Sequence, residues 1–146
     1  PYGLQGDEEH HIALEQALRE LIRQRQLRND SELSVHVQVE LAATELPQRL
    51  SVAAYRIIQE ALTNVIRHAY ASRVDIDVHV DTVRQSLDIR IIDNGRGLPE
   101  VAPDNSPVTG LGLVGMKERV LANRGKLHLG RADLGGLEIN VSFPLC

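Results

Sequence analysis

Tyr55-Arg56-Ile57-Ile58-Gln59-Glu60-Ala61-Leu62-Thr63-Asn64-Val65-Ile66-Arg67-His68-Ala69-Tyr70 is the stretch around which the chain of 146 residues is organised. At 100° per residue, Ala54, Ile58, Ala61, Leu62, Val65 and Ala69 share one arc, which predicts a helix with one buried face. Glu60, Asn64, Arg67 and His68 share the opposite arc. Asn64 is a poor choice at mid-helix, costing up to ~0.7 kcal/mol against Ala. A carboxylate, a carboxamide oxygen and two cationic or imidazole groups in one stripe suit a metal ion carrying phosphates. An ordinary solvated helix face also carries polar groups in a stripe, and the helix alone leaves both readings open.

Two strands follow the helix. Val74, Ile76, Val78 and Val80 alternate with Asp75, Asp77 and His79, and Leu87, Ile89 and Ile91 alternate with Asp88 and Arg90. The short polar link 81–86 predicts an antiparallel hairpin, with His79 on the solvated face. The second strand ends in Asp93-Asn94-Gly95-Arg96-Gly97. Asn-Gly is a strong hairpin signal, but Leu98-Pro99 does not continue as a strand, so the turn lacks a partner. A carboxylate at a strand end, followed by glycines that let a flat ligand approach the backbone, suits recognition of a purine amine.

Residues 98–109 carry Pro99, Pro103 and Pro107 and little apolar content, the pattern of a long functional loop. Gly110-Leu111-Gly112-Leu113-Val114-Gly115 matches G-x-G-x-x-G, and Asp133 lies near the distance of a ribose-binding acid. A dinucleotide fingerprint, however, needs a strand running directly into it, and Asp104-Asn105-Ser106-Pro107-Val108-Thr109 is no strand. Glycine-rich backbone opening a helix still cradles phosphate, because free N–H groups and the helix dipole both favour anions. P-loop and protein-kinase signatures are absent from the sequence. Residues 112–123 read as a helix closed by Gly125. Residues 126–130 and 137–143 are the last strands, joined through Gly135-Gly136.

Upstream, residues 33–41 alternate as a half-buried strand, and Pro47 stands near the start of the organising helix. Residues 12–26 are helical, with Leu14, Leu18, Leu21 and Ile22 on one face. Residues 1–11, with three acids and His10-His11, read as a flexible polar lead-in without a plausible set of metal ligands. The order is α-β-α-β-β-α-β-β. Strands with one apolar and one polar face imply a two-layer α/β sandwich, a mixed, mostly antiparallel sheet with three helices on one face.

Composition narrows the function classes. With 42% hydrophobic residues the chain suits a single soluble domain with a sizeable core. A net charge of −4 and few aromatics argue against nucleic acid as a partner. The single cysteine, Cys146, allows no internal disulfide, which fits a reducing, cytoplasmic setting. No apolar run is long enough to span a membrane, so no direct membrane contact is expected of this domain, and anchoring of a parent protein stays open. Pro1 at the start and Met116 as the sole methionine read as a fragment of a longer protein.

Four motifs together resemble the GHKL ATPases, the superfamily of gyrase, heat-shock chaperone ATPases, histidine kinases and mismatch-repair ATPases. They are Glu60 to His68, Asp93 to Gly97, Gly110 to Met116, and Gly135-Gly136. Gln59-Glu60-Ala61-Leu62-Thr63-Asn64-Val65 with Gly115-Met116-Lys117-Glu118-Arg119-Val120 is similar to sensor histidine kinases paired with helix-turn-helix response regulators. The resemblance covers roughly residues 12–144 and implies a Bergerat-type ATP-binding fold, with residues 12–146 as the catalytic domain. It implies ATP and Mg²⁺ as cofactors, with ADP as the other nucleotide bound. Asn64 would give its oxygen to the metal, and Glu60 would hold metal-bound water or act as a base. Arg67 and His68 would face the phosphates. Asp93 would accept from the adenine amine with Gly97 against the ring, and residues 98–109 would form a lid. Gly110, Gly112 and Gly115 would cradle the phosphates, with Gly95, Leu98, Leu111 and Leu113 in the same binding set. Met116 is expected in the core.

Two departures accompany the resemblance. Leu137 stands where the family usually has Thr, removing a hydroxyl worth ~0.5–1.5 kcal/mol of affinity. The phosphoacceptor helix with its His-Asp pair is not in the sequence, so the implied partners are dimerisation and phosphoacceptor helices elsewhere in the parent kinase, and a response regulator indirectly. The rival readings are a hydrolysing ATPase of the same superfamily with Glu60 as base, a nucleotide-gated protein-binding regulator, and a dinucleotide-dependent oxidoreductase.

Overall fold

The structure is a computed structural model that describes residues 6–28, 33–41, 45–69, 71–96, 113–133 and 135–145. The elements run α1 (Gly6–Arg28), β1 (Ser34–Glu40), α2 (Gln48–Asn64), a π-helical segment (Val65–Ala69), β2 (Arg73–Asp81), β3 (Ser86–Asp93), α3 (Leu113–Ala122), β4 (Lys126–Arg131) and β5 (Leu137–Pro144). The strands form one sheet in the order β1-β2-β3-β5-β4. β1 pairs parallel to β2, and the other pairs are antiparallel.

Strand alternation sorts the side chains into two faces. Val74, Ile76, Val78 and Val80 of β2 are buried with Leu87, Ile89 and Ile91 of β3 and Ile139, Val141 and Phe143 of β5. The helices close over this face with Leu14, Leu18, Leu21 and Ile22 from α1, Leu50, Ile57, Ile58 and Leu62 from α2, and Met116 and Val120 from α3. Each such side chain contributes ~1.5–3 kcal/mol when fully buried, and the core is almost wholly aliphatic. The opposite face is polar and braced across strands. Ser142 Oγ donates to Asp88 Oδ1 at 2.7 Å, and Arg90 pairs with Glu138 at 3.2 Å. His79, expected on this face, lies 3.5 Å from Asp88 and 3.8 Å from Asp77 through its two different ring nitrogens. The expected two-layer sandwich with helices on one face is the observed fold.

Three local expectations are corrected. α1 begins at Gly6, so residues 6–11, including His10 and His11, have helical backbone ahead of the expected helix start at residue 12. Asp7, Glu8 and Glu9 lack apolar periodicity, but acids in a first turn complement the helix dipole. The organising helix keeps α geometry only to Asn64 and then widens into the π segment. The change follows Thr63, whose hydroxyl bonds the Gln59 carbonyl at 3.0 Å, a local bond that competes with the helix ladder. The Val65 N–H is shared between the Ala61 and Leu62 carbonyls. An i→i+5 turn advances each residue by less than 100°, so the 100° spacing does not describe the backbone of Val65–Ala69.

The third correction concerns the end of α3. Arg124, not Gly125, takes the left-handed conformation, with φ 61°. The Gly125 N–H returns to the Val120 carbonyl at 2.8 Å, the six-to-one bond of a Schellman ending. Glycine is needed at 125 for space, because a Cβ there would stand 2.7 Å from Phe143 Cδ1 and 2.9 Å from the Ser142 carbonyl oxygen.

Candidate functional site

β3 delivers Asp93 to the end of the sheet, where it is only 5% exposed. The Gly95 N–H donates to Asp93 Oδ1 at 2.8 Å, and the Leu137 N–H donates to the same oxygen at 3.3 Å. The second donor comes from the start of β5, next to β3 in the sheet. Gly136 lies directly against Asp93, and a Cβ there would overlap the Asp93 carbonyl oxygen. The Leu137 side chain is buried, so this residue meets Asp93 through its backbone.

Asn94 anchors the strand end. Its Oδ1 accepts from the N–H groups of Ser72 and Arg73 at 2.9 and 3.0 Å, and its Nδ2 donates to Ser72 Oγ at 2.9 Å. The Asn94 N–H completes the clamp on the Arg73 carbonyl at 3.2 Å. The sequence reading treated Asn94 only as part of a turn signal, since nothing local shows where its amide goes. The Leu137 N–H was missed for the same reason.

On α2, Glu60 is half-buried and Arg67, in the π segment, is exposed. Asn64 is 8% exposed, with its Nδ2 buried and unpartnered among the described residues. α2 packs against both β3 and α3. No hydrogen bond or ion pair among the described residues links Glu60 or Asn64 to Asp93. On α3, the Leu113 and Met116 side chains are buried in the core, so Leu113 has only its backbone to offer a ligand. Gly115 is exposed, and a Cβ there would meet nothing within 4 Å. Packing against the described residues therefore does not require glycine at this position. Gly97, Leu98, Gly110, Leu111 and Gly112 lie outside the described residues, as does the side chain of His68.

A buried carboxylate at a strand end with helix termini in the next layer is an arrangement that can read a base amine and receive phosphates. Residues 49–146 match the family described as histidine kinase-, DNA gyrase B-, and HSP90-like ATPases. The chain belongs to that family. As a member of an ATPase family it is an ATP-binding domain. Sensor histidine kinase YxjM of Bacillus subtilis (strain 168) is 37% identical over 129 residues, covering 88% of this chain and 30% of that protein. The signal transduction histidine-protein kinase/phosphatase UhpB of Salmonella typhimurium is 35% identical over 133 residues, covering 91% of this chain and 25% of that protein. The chain thus spans less than a third of the length of these relatives. Among solved structures, the ATP-binding domain of PrrB from Mycobacterium tuberculosis superposes with a TM-score of 0.65 at 21% identity, covering 91% of each chain. The blue-light activated histidine kinase EL346 of Erythrobacter litoralis gives 0.68 at 22% identity, covering 90% of this chain and 44% of that one. These structural likenesses establish the shared ATPase fold. Within the family, these two curated relatives are both named as histidine kinases, the first a sensor histidine kinase and the second a histidine-protein kinase/phosphatase. Among the described residues no helix is long and apolar enough to cross a membrane.

Proposed function

We propose that residues 12–146 are the catalytic domain of a two-component sensor histidine kinase. The domain holds Mg-ATP and presents its γ-phosphate to a histidine on separate dimerisation helices of the parent protein, at the cytoplasmic side. The regulator that finally receives the phosphate is an indirect partner. The observation carrying this reading is Asp93, a buried carboxylate fixed by backbone donors at a strand end, in a chain of this ATPase family.

Asp93 accepts from the adenine amine, and the open backbone at Gly95 and Gly97 leaves room for the ring. The Gly110, Leu111, Gly112, Leu113 and Gly115 backbone cradles the phosphates, with Leu98 at the start of the lid. The open space in front of Gly115 fits that role. The residues present also suit Mg²⁺, which typically takes one or two protein oxygens and completes its shell with water and phosphate. Asn64 is a buried carboxamide whose side-chain oxygen is the kind of ligand Mg²⁺ takes, and Glu60 stands one turn before it. Asn64 would hold the ion and Glu60 its bound water, and the ion would neutralise charge on the phosphates. Arg67 and His68 add positive charge or hydrogen-bond donors at the same end. Phosphoryl transfer needs mainly positioning and charge neutralisation, so these roles suffice without a covalent intermediate on this chain.

Two experiments test the proposal. Calorimetric titration in Mg²⁺ is expected to show ATP and ADP binding, and tighter binding of NAD overturns the nucleotide assignment. With radiolabelled ATP the chain alone is expected to remain unlabelled. Addition of dimerisation helices bearing a histidine is expected to yield acid-labile, alkali-stable label on those helices. Acid-labile label on this chain, or rapid hydrolysis without transfer, overturns the kinase reading.

A further inference from the structure

The two carboxylate oxygens of Asp93 have different surroundings. Oδ1 accepts from both the Gly95 and the Leu137 N–H, and neither of these two bonds goes to Oδ2. One donor is local, two residues along the chain. The other arrives from 44 residues away, carried by the turn between β4 and β5. That turn is itself closed by backbone bonds. The Ala132 N–H donates to the Gly136 carbonyl at 2.7 Å, the Gly135 N–H donates to the Ala132 carbonyl at 2.9 Å, and Gly135 takes φ +99°. It presses on Asp93 so closely that a Cβ at Gly136 would overlap the Asp93 carbonyl oxygen and stand 2.5 Å from Oδ1. On the same hairpin, a Cβ at Gly130 would meet nothing within 4 Å.

We infer that the turn between β4 and β5 sets nucleobase selectivity by orienting Asp93. Gly136 acts by having no side chain, and Leu137 by its backbone N–H. Together they engage Oδ1 and leave Oδ2 as the acceptor for an exocyclic amine. The inference rests on the reading of Asp93 as the adenine acceptor. An ionised carboxylate offers only acceptors, so it pairs with an amine and repels a carbonyl in the same place. Fixing Oδ1 in advance removes rotamer freedom that binding would otherwise have to freeze, which strengthens discrimination. Gly136 is a positioning residue in this scheme, because it acts through Asp93.

Inosine triphosphate tests the inference, since it keeps the ring and triphosphate of ATP but carries a carbonyl where adenine has its amine. The unmodified domain is expected to prefer ATP to ITP by roughly ten- to a hundredfold. Gly136→Ala is expected to bring that ratio close to one while ITP affinity is largely kept, and Gly130→Ala to leave it unchanged. A merely structural role for Gly136 lowers both affinities together. A preserved ratio in folded Gly136→Ala overturns the inference, whereas no preference in the unmodified domain overturns the adenine reading beneath it. If Gly136→Ala does not fold, the unmodified domain and Asp93→Asn decide by NMR. The Gly95 and Leu137 amide protons are expected to resonate downfield in the unmodified domain and to move upfield together in Asp93→Asn, where the acceptor loses its charge. A Leu137 amide that does not respond overturns the inference.

Discussion

Among the described residues the buried amide nitrogen of Asn64 has no partner, and a buried unsatisfied group costs ~1–3 kcal/mol. A residue retained for stability would not be arranged this way, whereas one that meets a metal–phosphate group would. Asn64→Ala is therefore expected to abolish the Mg²⁺-dependent part of ATP affinity while the melting temperature stays level or rises. Titration with and without Mg²⁺ checks this, and equal losses in both would mean that Asn64 shapes the pocket instead. Asn94 is the opposite case, with its amide fully engaged by Ser72 and Arg73. Asn94→Ala leaves two exposed backbone N–H groups to water, and unfolding in urea is expected to show a loss of ~0.5–1.5 kcal/mol.

The end of α3 shows how one element depends on its neighbours. Arg124 holds the left-handed position, which costs a non-glycine residue ~1–2 kcal/mol, and Gly125 fits beneath the fully buried Phe143 ring. Arg124→Gly relieves the strain but adds ~0.5–1 kcal/mol of chain entropy, so a net gain of up to ~1 kcal/mol is expected. Gly125→Ala must displace Phe143 or the β5 backbone and is expected to lose ~1–3 kcal/mol. Thermal unfolding of the two variants should move in opposite directions. If Arg124→Gly also loses stability, the Arg124 side chain contributes more than its left-handed backbone costs.

Across the whole molecule, the polar sheet face ties stability to pH. The Asn140 amide, then the Arg90 guanidinium, holds the Glu138 carboxyl below its ordinary range. The backbone N–H of Arg84, then that of Val83, does the same for Asp81 in the turn between β2 and β3. A carboxylate depressed on folding contributes stability that is fully present above its unfolded value and is lost as pH falls through the folded one. Stability is thus expected to be flat near neutrality and to decline below pH 4.5, the ordinary value for Glu138. Glu138→Gln should shallow that decline in pH-dependent denaturation, and an unchanged acid limb would exclude Glu138 as a contributor. Both groups are partly open to solvent, so the effect is modest, and salt weakens the part due to Arg90.

The amino-acid sequence by itself determined the order of the elements and the face that each one buries, because periods of two and 3.6 residues are local properties. Val74 to Val80 and Leu14 to Ile22 announce their buried sides without reference to any partner. The motif around Asp93 was legible for the same reason, as a carboxylate followed by glycines in an unbroken run. The tertiary structure alone decided that β5 lies between β3 and β4, and that the Leu137 N–H and the bare Gly136 meet Asp93. It also decided that Asn64 is buried, that α2 widens after it, and that Arg124 takes the turn expected of Gly125. Each of these depends on atoms brought together from distant parts of the chain or on competition between neighbouring carbonyls. Such contacts leave no trace in residue spacing, which is why the glycines were visible in the sequence but their reasons were not.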